Sequence, residues 1–468
     1  MPRKASIQIR RDTRDNWLAV NPVLKSGELG YETDTGVLKI GDGTSGWNTI
    51  VRFANQNDIT MLNERIDDVL TVSSNNIYGV KIDTTDPNPE TSVTYTDDAA
   101  GFVPMRGNDG NFDWGSWELP FKSLGIRPCV FKDGAVNYYL DPNDFTKKID
   151  GSNADITSGL DGDVMIEIPK IFWKFSENGT DRIIQISRVE REGFVCLAHT
   201  RGETIVDNIY IGAYPGAVIN NKLRSLSGKT PTGSKTHAEF RTDAQANGEG
   251  YEQFLFYQML LLQILYVIFF KSLDGQTALG RGNVDASVLK KTGARDTSGM
   301  FYGSSIVGNN EQIKFCGIED FWGNIRIWVD GIWSTANTDP ARKLWIATDE
   351  FNTVPYQQDG EIWIDAEPKP DNYIDYGTGF AVNVDGYIKD IHGTNETGFV
   401  TANKTGSETT YYCDYAYLQA GYLGSFGGTW TAAGIAGPFN LHLRYSPVDS
   451  GTGTGGRLTW IKKQRMEV

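Results

Sequence analysis

The sequence predicts a multidomain, β-rich protein that ends in a larger α+β domain. At 468 residues the chain is too long for one compact core, since a domain typically holds roughly 100 to 200 residues. Glycine is frequent, at 52 residues, and short strand-like stretches separated by polar turns recur along the chain. We therefore divide the sequence into four segments, 1–53, 54–73, 74–154 and 155–468.

Residues 1–53 are predicted to form an N-terminal, short-stranded β module that is β-prism-like. The strands SIQIR, ELGYET and VLKIG are joined by turns at Asp34-Thr35-Gly36 and at Asp42-Gly43. A module of this size buries too little apolar surface to be stable alone. We expect it to pair with copies of itself or to dock on a larger body.

Residues 54–73 are predicted to form a short coiled-coil helix that serves as a spacer. Ile59, Leu62, Ile66 and Val69 follow the alternating three- and four-residue spacing of a coiled-coil seam. The pattern is short, so two interpretations stay open: a helix between subunits, or a helix that packs on its own domain.

The rest of the chain is predicted to hold a small β-sandwich-like domain at 74–154 and the largest domain at 155–468. Residues 254–270 are apolar except for Gln258 and Gln263. The stretch is shorter than the roughly 20 residues of a membrane span and has no basic flank. We therefore expect a helix buried inside the large domain and no membrane insertion.

Charge and composition exclude several classes of partner. Lys and Arg total 44 and Asp and Glu 59, a formal net charge of −15 that repels polyphosphate, so nucleic acid is not an expected partner. The first thirty residues contain no apolar core of a signal peptide, so export by the secretory route is not expected.

Catalytic and cofactor motifs are not recognisable in the sequence. It contains no HExxH, CxxC or GxSxG, and the fragments that begin at Gly228 and Gly280 lack the other glycines of nucleotide-binding loops. The aspartate-rich stretches 150–155 and 159–163 depart from EF-hand spacing, so solvated turns are predicted there in preference to calcium sites. We expect no catalytic residue, no cofactor and no metal, and four buried free cysteines.

Aromatic residues divide into a predicted core and a predicted recognition surface. Trp322 and Trp328 alternate with glycine in the stretch 315–333, which is typical of close packing in a core. Tyrosine and arginine on the Gly-rich turns near the C-terminus have the composition of a binding surface. The candidate contact residues are Tyr415, Tyr417, Tyr422, Thr431, Ala432, Ile435, Asn440, His442, Arg444 and Tyr445. Trp430, Phe439 and Trp460 are expected to pack inward.

Three stretches resemble a known family. GELGYETDTGVLKIGDGTSGWNTI, residues 27–50, resembles the amino-terminal β module of bacteriophage tail-fibre and receptor-binding proteins. GIEDFWGNIRIWVDGI, residues 317–332, resembles the Gly-Ile-Glu-x-x-Trp-Gly-Asn signature of the C-type-lectin-like fold, which phage tropism determinants share with formylglycine-generating enzymes. GGTW, AGPF and GGRL, between residues 427 and 458, resemble the closing part of that fold in phage tail proteins.

The resemblance implies a virion protein at the phage tail tip that is made in the host cytoplasm. It implies a homotrimer whose amino-terminal part attaches to tail or baseplate proteins and whose C-type-lectin-like domain at 155–468 faces the bacterium. In relatives served by a diversity-generating retroelement, the exposed positions between GGxW and GGRL are the diversified ones. Ala433 departs from the glycine that relatives often have there, and Cys316 and Cys413 lack the close cysteine pairing of the enzyme branch.

The leading hypothesis is a non-enzymatic adhesin, a phage tropism determinant that recognises a bacterial cell-surface receptor, either protein or glycan, through C-terminal loops. Three linked heads would combine weak single contacts into firm attachment. Two alternatives stay open: a tail-associated enzyme that degrades polysaccharide, and a structural baseplate component without receptor contact.

Overall fold

A computed structural model describes residues 9–50, 75–202, 204–335, 343–347, 373–376, 384–419 and 423–462. The chain divides into two compact units, Met1–Ser73 and Ser74–Val468. The protein is thus β-rich and multidomain, as predicted. The coiled-coil helix predicted at 54–73 lies outside the described residues.

Over the described residues 9–50, the first unit forms a three-stranded sheet and one helix. Its elements are β1 Arg10–Asp12, α1 Arg14–Val20, β2 Leu29–Glu32 and β3 Leu38–Ile40. β1 pairs with β2 in parallel and β2 with β3 antiparallel. Trp17, Leu24 and Trp47 form its buried core, and the two indole rings stack with centroids 4.1 Å apart.

The helix α1 lies between the first two strands and was not predicted from the sequence. The Thr13 hydroxyl accepts a hydrogen bond from the Asn16 amide, and Asn21 ends the helix in the left-handed conformation. Thr and Asn are favoured at these two positions because their short side chains replace lost helical hydrogen bonds or tolerate positive φ. The predicted turn at Asp42 is confirmed, since its carboxylate accepts hydrogen bonds from the amides of Thr44 and Ser45.

The second unit contains many short strands and few helices. Its first strands are β4 Ile77–Asp83, β5 Val93–Asp97, β6 Arg106–Asn108, β7 Asn111–Asp113, β8 Arg127–Lys132, β9 Ala135–Asp141, β10 Asp144–Lys148, β11 Asp163–Pro169, β12 Phe172–Asn178, β13 Asp181–Ser187, β14 Thr200–Arg201, β15 Thr204–Ile205 and β16 Asn208–Gly212. They are followed by β17 Ala217–Ile219, β18 Lys222–Arg224, β19 Tyr251–Gln253, β20 Lys314–Phe315, β21 Ile318–Glu319, β22 Arg326–Ser334, β23 Leu344–Ala347, β24 Tyr373–Asp375, β25 Val384–Tyr387, β26 Asp390–Ile391, β27 Thr401–Asn403, β28 Tyr415–Leu418, β29 Leu423–Phe426, β30 Leu441–Tyr445, β31 Thr454–Gly455 and β32 Leu458–Trp460. The helices are α2 Glu118–Leu124, α3 His237–Gln245, α4 Phe256–Phe270 and α5 Gly275–Ala278, with 3-10 turns at Leu197–His199 and Ala433–Ile435.

Three larger sheets organise this unit. One has the order β10-β9-β8-β11-β16-β32-β19, a second β12-β13-β4-β5, and a third β24-β23-β22-β29-β30-β28-β25 with β31 beside β22. The first two sheets each take strands from both sides of the boundary predicted at residue 154. Residues 74–154 therefore pack within the same compact unit as the rest of the chain up to residue 468.

The apolar segment at 254–270 is confirmed as a buried helix. Every residue of α4 is buried, and the side-chain amide of Gln263 donates a hydrogen bond to the Pro438 carbonyl at 2.8 Å. The helix is buried all round because sheet and loop residues of the unit surround it, which matches its uniformly apolar sequence. Within the described part of the chain, no helix is long and apolar enough to cross a membrane.

Truncating the centre of α4 tests its role as the core of the second unit. Leu261→Ala is expected to lower the free energy of unfolding by about 2–5 kcal/mol, because it leaves a cavity at a fully buried site. The matched change Leu160→Ala, at a side chain 76% exposed, should alter it by less than about 0.5 kcal/mol. Urea unfolding followed by tryptophan fluorescence measures both, and equal effects would contradict the buried placement of α4.

Candidate functional site

The candidate site lies on one edge of the eight-stranded sheet, where β25, β28 and β30 are neighbours. β28 pairs with β25 antiparallel and with β30 in parallel. Along β28, Ala416 and Leu418 are buried whereas Tyr415 and Tyr417 are half-buried. This alternation places the two tyrosines on the outward face of the sheet.

One row of paired residues runs across the sheet from the core to the surface. The register pairs Trp328 with Ser425, Ser425 with His442, His442 with Tyr417 and Tyr417 with Asp385. Paired residues share a face, and burial decreases along this row from the fully buried Trp328 to the exposed Asp385. The same sheet face is therefore core at β22 and surface at β25.

The covered end of this face is closed by α3. The Arg241 guanidinium forms a two-pronged ion pair with the Asp330 carboxylate, and both groups are buried. His237 lies edge-on to Trp328 with ring centroids 5.7 Å apart. Charge-assisted hydrogen bonds thus hold α3 against β22. The helix covers this end of the sheet face, and the face becomes exposed towards β25.

Four side chains form what we call the tyrosine face: Tyr387, Tyr415, Tyr417 and Arg444. The Tyr387 and Tyr415 rings meet edge-on with centroids 5.1 Å apart. The Arg444 guanidinium lies 4.7 Å from the centroid of the Tyr417 ring, within the range of a cation–π contact. The face is a row of three half-buried rings that ends in an exposed cation.

Hydrogen bonds hold the polar tips of the face. The Tyr415 hydroxyl donates to Asp385 Oδ1 at 2.6 Å, and this bond, together with burial, raises the pKa of Tyr415 to about 12. The Gln419 side-chain amide donates to the Tyr417 hydroxyl at 2.7 Å. The two hydroxyl groups are therefore oriented before any ligand binds, which lowers the entropy lost on binding.

Tyr445 is tied to the interior beside the tyrosine face. Arg326 donates a hydrogen bond to the Tyr445 hydroxyl, and the Trp328 ring lies edge-on to Tyr445 at 5.7 Å between centroids. Burial lowers the pKa of Arg326 from its ordinary value. Tyr445 therefore packs against the buried residues Trp328 and Arg326 and is itself half-buried.

The prediction that Ala432, Asn440 and His442 are exposed is wrong, because all three are buried. The Asn440 side-chain amide donates to the carbonyls of Tyr415 and Ile435 at 2.8 and 2.7 Å, so it satisfies irregular backbone inside the fold.

The remaining predicted contact residues that the structure describes lie at or near the surface. Thr431 is exposed and Ile435 half-buried, in the turn that precedes β30. Tyr422 lies outside the described residues. Ala433 has φ +51°, a left-handed conformation that glycine adopts more readily than alanine.

The predicted inward packing of three aromatic residues holds for one of them. Phe439 is fully buried, whereas Trp430 and Trp460 are half-buried. Trp322 and Trp328 are fully buried, as predicted, and the Trp322 indole donates to the Gly280 carbonyl at 3.2 Å.

A buried polar network surrounds the motif at 317–324. The Asp320 carboxylate accepts hydrogen bonds from the side-chain amides of Gln312 and Asn324, both at 2.7 Å. The Arg457 guanidinium donates to the carbonyls of Glu319 and Asp320 at 2.8 and 3.0 Å. Burial raises the pKa of the Glu319 and Asp320 carboxyl groups, because the charged form loses its hydration inside the fold.

Among the described residues, no group of three or more His, Cys, Asp or Glu side chains could hold a metal ion. The four cysteines are free and buried, as predicted, and burial raises the pKa of Cys316 and Cys413. Asp150 is exposed, whereas Asp163 is buried and paired with Arg224, its carboxylate oxygens 3.0 Å from Nε.

Comparison with known proteins identifies the amino-terminal part of the chain. Residues 7–45 match the family model described as the major tropism determinant N-terminal domain. This part of the first unit is similar to the N-terminal domain of major tropism determinants. The resemblance of residues 27–50 to the amino-terminal module of phage tail proteins is thereby confirmed.

Solved structures give weaker likenesses over longer or shorter stretches. The P3c variant of the major tropism determinant is 10% identical, with 97% of this chain and 99% of that chain covered and a TM-score of 0.22. PvdO from Pseudomonas aeruginosa is 10% identical over 66% of this chain and 98% of its own, with a TM-score of 0.28. A streptococcal bacteriophage hyaluronidase is 34% identical, but the match covers only 11% of this chain and 14% of the hyaluronidase, with a TM-score of 0.10. No curated protein sequence matches the chain.

Sequence reasoning missed several residues of the tyrosine face and its support. Tyr387, Asp385 and Gln419 belong to it through pairing of β25 with β28 and through hydrogen bonds. The strand VDGY shows the alternation of a half-exposed strand, but its position beside β28 depends on long-range pairing.

The burial of His442 leads to a prediction about acid stability. Burial, followed by the nearby charges of Arg326 and Arg444, holds the pKa of His442 well below its ordinary value. A histidine with a lowered pKa in the folded state stabilises the fold above about pH 6.5 and loses that contribution as the pH falls. Between pH 7 and pH 5, His442→Asn should therefore reduce the acid-induced loss of unfolding free energy by about 2 kcal/mol relative to the unsubstituted protein.

Urea unfolding at each pH measures this difference. Ser425→Ala is the matched control, because Ser425 donates a hydrogen bond to the His442 carbonyl but does not titrate in this range. A His442→Asn variant with the same pH dependence as the unsubstituted protein would contradict the assignment.

Proposed function

We propose that the protein is the tropism determinant of a bacteriophage tail, which attaches the virion to a host-surface protein or glycan. The observation that carries the proposal is the major tropism determinant N-terminal domain at residues 7–45. In this proposal the first unit lies on the virion side and contacts tail or baseplate proteins. The second unit presents the receptor-binding surface, and the protein acts as a non-enzymatic adhesin.

The tyrosine face supports the placement of receptor contacts. Its rings offer a large apolar area at low rotamer cost, and each carries a polar tip. Arg444 adds a planar cation that can pair with a carboxylate, a phosphate or a carbonyl group. Tyr415, Tyr417, Arg444 and Tyr445, with Thr431 and Ile435 on the neighbouring turn, are the described residues that we assign to the contact surface. Tyr422 belongs to the same proposal on sequence grounds.

The oligomer and the fold family are part of the proposal. We assign residues 155–468 to a C-type-lectin-like domain and the protein to a homotrimer, with residues 54–73 as a coiled-coil spacer. Three copies of one face raise the effective concentration of contacts on a cell, so weak single sites bind firmly together. The exposed positions between Gly427 and Leu458 are the ones that a diversity-generating retroelement would vary.

Adsorption to bacteria tests the assignment of the receptor surface. Replacing Tyr417 and Arg444 together with alanine should reduce wash-resistant binding of the labelled protein to a susceptible strain by at least about tenfold, since central Tyr and Arg contacts dominate interface energies. The matched control replaces Tyr138 and Lys148, another ring and cation in contact at 4.2 Å but on the seven-stranded sheet.

Both variants are first shown to unfold at the same temperature as the unsubstituted protein. Binding that is equal in the two variants, or a native protein that binds no strain, would contradict the proposal. Shortened polysaccharide after incubation with the protein would favour the alternative of a degrading enzyme.

A further inference from the structure

A cavity in the second unit lies away from the tyrosine face, at the edge of the seven-stranded sheet. Its volume is about 950 Å³, within the range of pockets that hold small organic ligands. Its walls are the turn at Asp133 and Gly134, residues 204–207, residues 247–249 and Tyr251 after α3, and the end of β32 at Trp460. It shares none of its lining residues with the tyrosine face.

Trp460 provides a fixed aromatic wall in this cavity. Its indole Nε1 donates to the Glu249 carbonyl at 3.0 Å, and its ring packs against Phe131 with centroids 5.1 Å apart. A Cβ atom on Gly250 would come within 2.6 Å of the indole nitrogen, and one on Gly134 within 3.5 Å of the ring. The two glycines therefore leave room around a half-buried indole that is held in one orientation.

Acidic residues line the same cavity as the indole. Asp133, Asp207 and Glu249 are lining residues and are exposed, and Lys462 is the lining residue of opposite charge. Ionised carboxylates accept hydrogen bonds and donate none, so they suit a ligand rich in hydroxyl or ammonium donors. The excess of negative charge repels an acidic ligand.

Asp207 forms an ion pair with Lys170 beside the cavity. The Lys170 ammonium lies 2.9 Å from Asp207 Oδ1 and holds the pKa of that carboxyl below its ordinary value. A general acid for glycoside cleavage needs the opposite shift, a raised pKa that keeps the proton on the carboxyl group. Asp207 is thus suited to accept a hydrogen bond from a ligand.

We propose that this cavity is a saccharide-binding site for a neutral or amine-bearing oligosaccharide. A pyranose ring lies with its C–H face on the Trp460 indole, and its hydroxyl or ammonium groups donate to Asp133 and Glu249. An aromatic wall combined with a few oriented polar groups is the usual construction of a selective small-ligand pocket. The proposal does not depend on the receptor assignment above, since it concerns different residues of a different sheet.

Ligand-observed NMR on the full chain tests the site with three defined probes. They are the neutral tetrasaccharide of N-acetylglucosamine, the amine-bearing tetrasaccharide of glucosamine, and an acidic hyaluronan octasaccharide. The neutral and amine-bearing probes are expected to bind, and the acidic probe is not. Binding of the hyaluronan alone, or of none of the three, would overturn the proposal, and so would the appearance of shortened saccharides.

Two kinds of variant show where the probes bind. Asp133→Asn combined with Glu249→Gln should weaken the amine-bearing probe by at least about tenfold, equivalent to about 1.4 kcal/mol. The control Glu118→Gln with Glu190→Gln removes two exposed carboxylates elsewhere and should leave binding unchanged.

Trp460→Ala should weaken the neutral and amine-bearing probes alike, and Trp460→Phe should restore much of the loss because the ring returns. The charge variants replace exposed side chains and keep the fold, so they decide the question even if Trp460→Ala fails to fold. Unchanged affinity in the Asp133 and Glu249 variant would overturn the site. Adsorption to bacteria is also measured on the Asp133 and Glu249 variant. If this variant still adsorbs while the tyrosine-face variant does not, the adsorption result bears on the receptor surface alone, and the saccharide result bears on the cavity alone.

Discussion

The arrangement of the second unit depends on the hydrogen bonds that the buried Arg457 guanidinium donates. Residues just before it, in β31, pair with β22 of the eight-stranded sheet, and residues just after it, in β32, pair with β16 and β19 of the seven-stranded sheet. At this crossing Arg457 is 1% exposed and donates to the carbonyls of Gly212, Glu319 and Asp320. Burial lowers the pKa of Arg457 to about 10, so the group stays charged at neutral pH. Removal of this side chain would leave buried carbonyl groups unsatisfied, which typically costs about 1–3 kcal/mol for each group.

The crossing has a consequence for function, because each of the two sheets carries one of the exposed surfaces. The tyrosine face lies on β25, β28 and β30 of the eight-stranded sheet, and the proposed saccharide cavity lies at the turn after β8 and at the end of β32 in the seven-stranded sheet. Both surfaces consist of half-exposed rings and charged tips on strands or short turns whose opposite side is buried. Binding residues placed on a rigid scaffold in this way can change without loss of the core. Under the two proposals, these surfaces serve different ligands.

Local patterns were enough to predict some of this architecture, and long-range pairing decided the rest. The buried helix α4 follows from a run of apolar residues, and the structural roles of Trp322 and Trp328 follow from large rings beside glycine. His442 was misplaced because its neighbours in sequence resemble an exposed loop, whereas the register places it between Ser425 and Tyr417 inside a sheet. The helix α1 was missed because its seven residues are too few for a periodic pattern, although Thr13 and Asn21 carry its end signals. The cavity beside Trp460 joins residues from 133 to 462, a distance along the chain that no local pattern spans.

Amide hydrogen exchange of the full chain, free and bound to envelope fragments of a susceptible strain, tests the central claim most directly. The claim is that a rigid second unit presents the tyrosine face to the receptor. It predicts that amides of β25, β28 and β30 gain protection on binding, while those of β22 and α4 are strongly protected in both states. Protection gained only in the first unit, or exchange in β22 as fast as in the exposed turns, would contradict it.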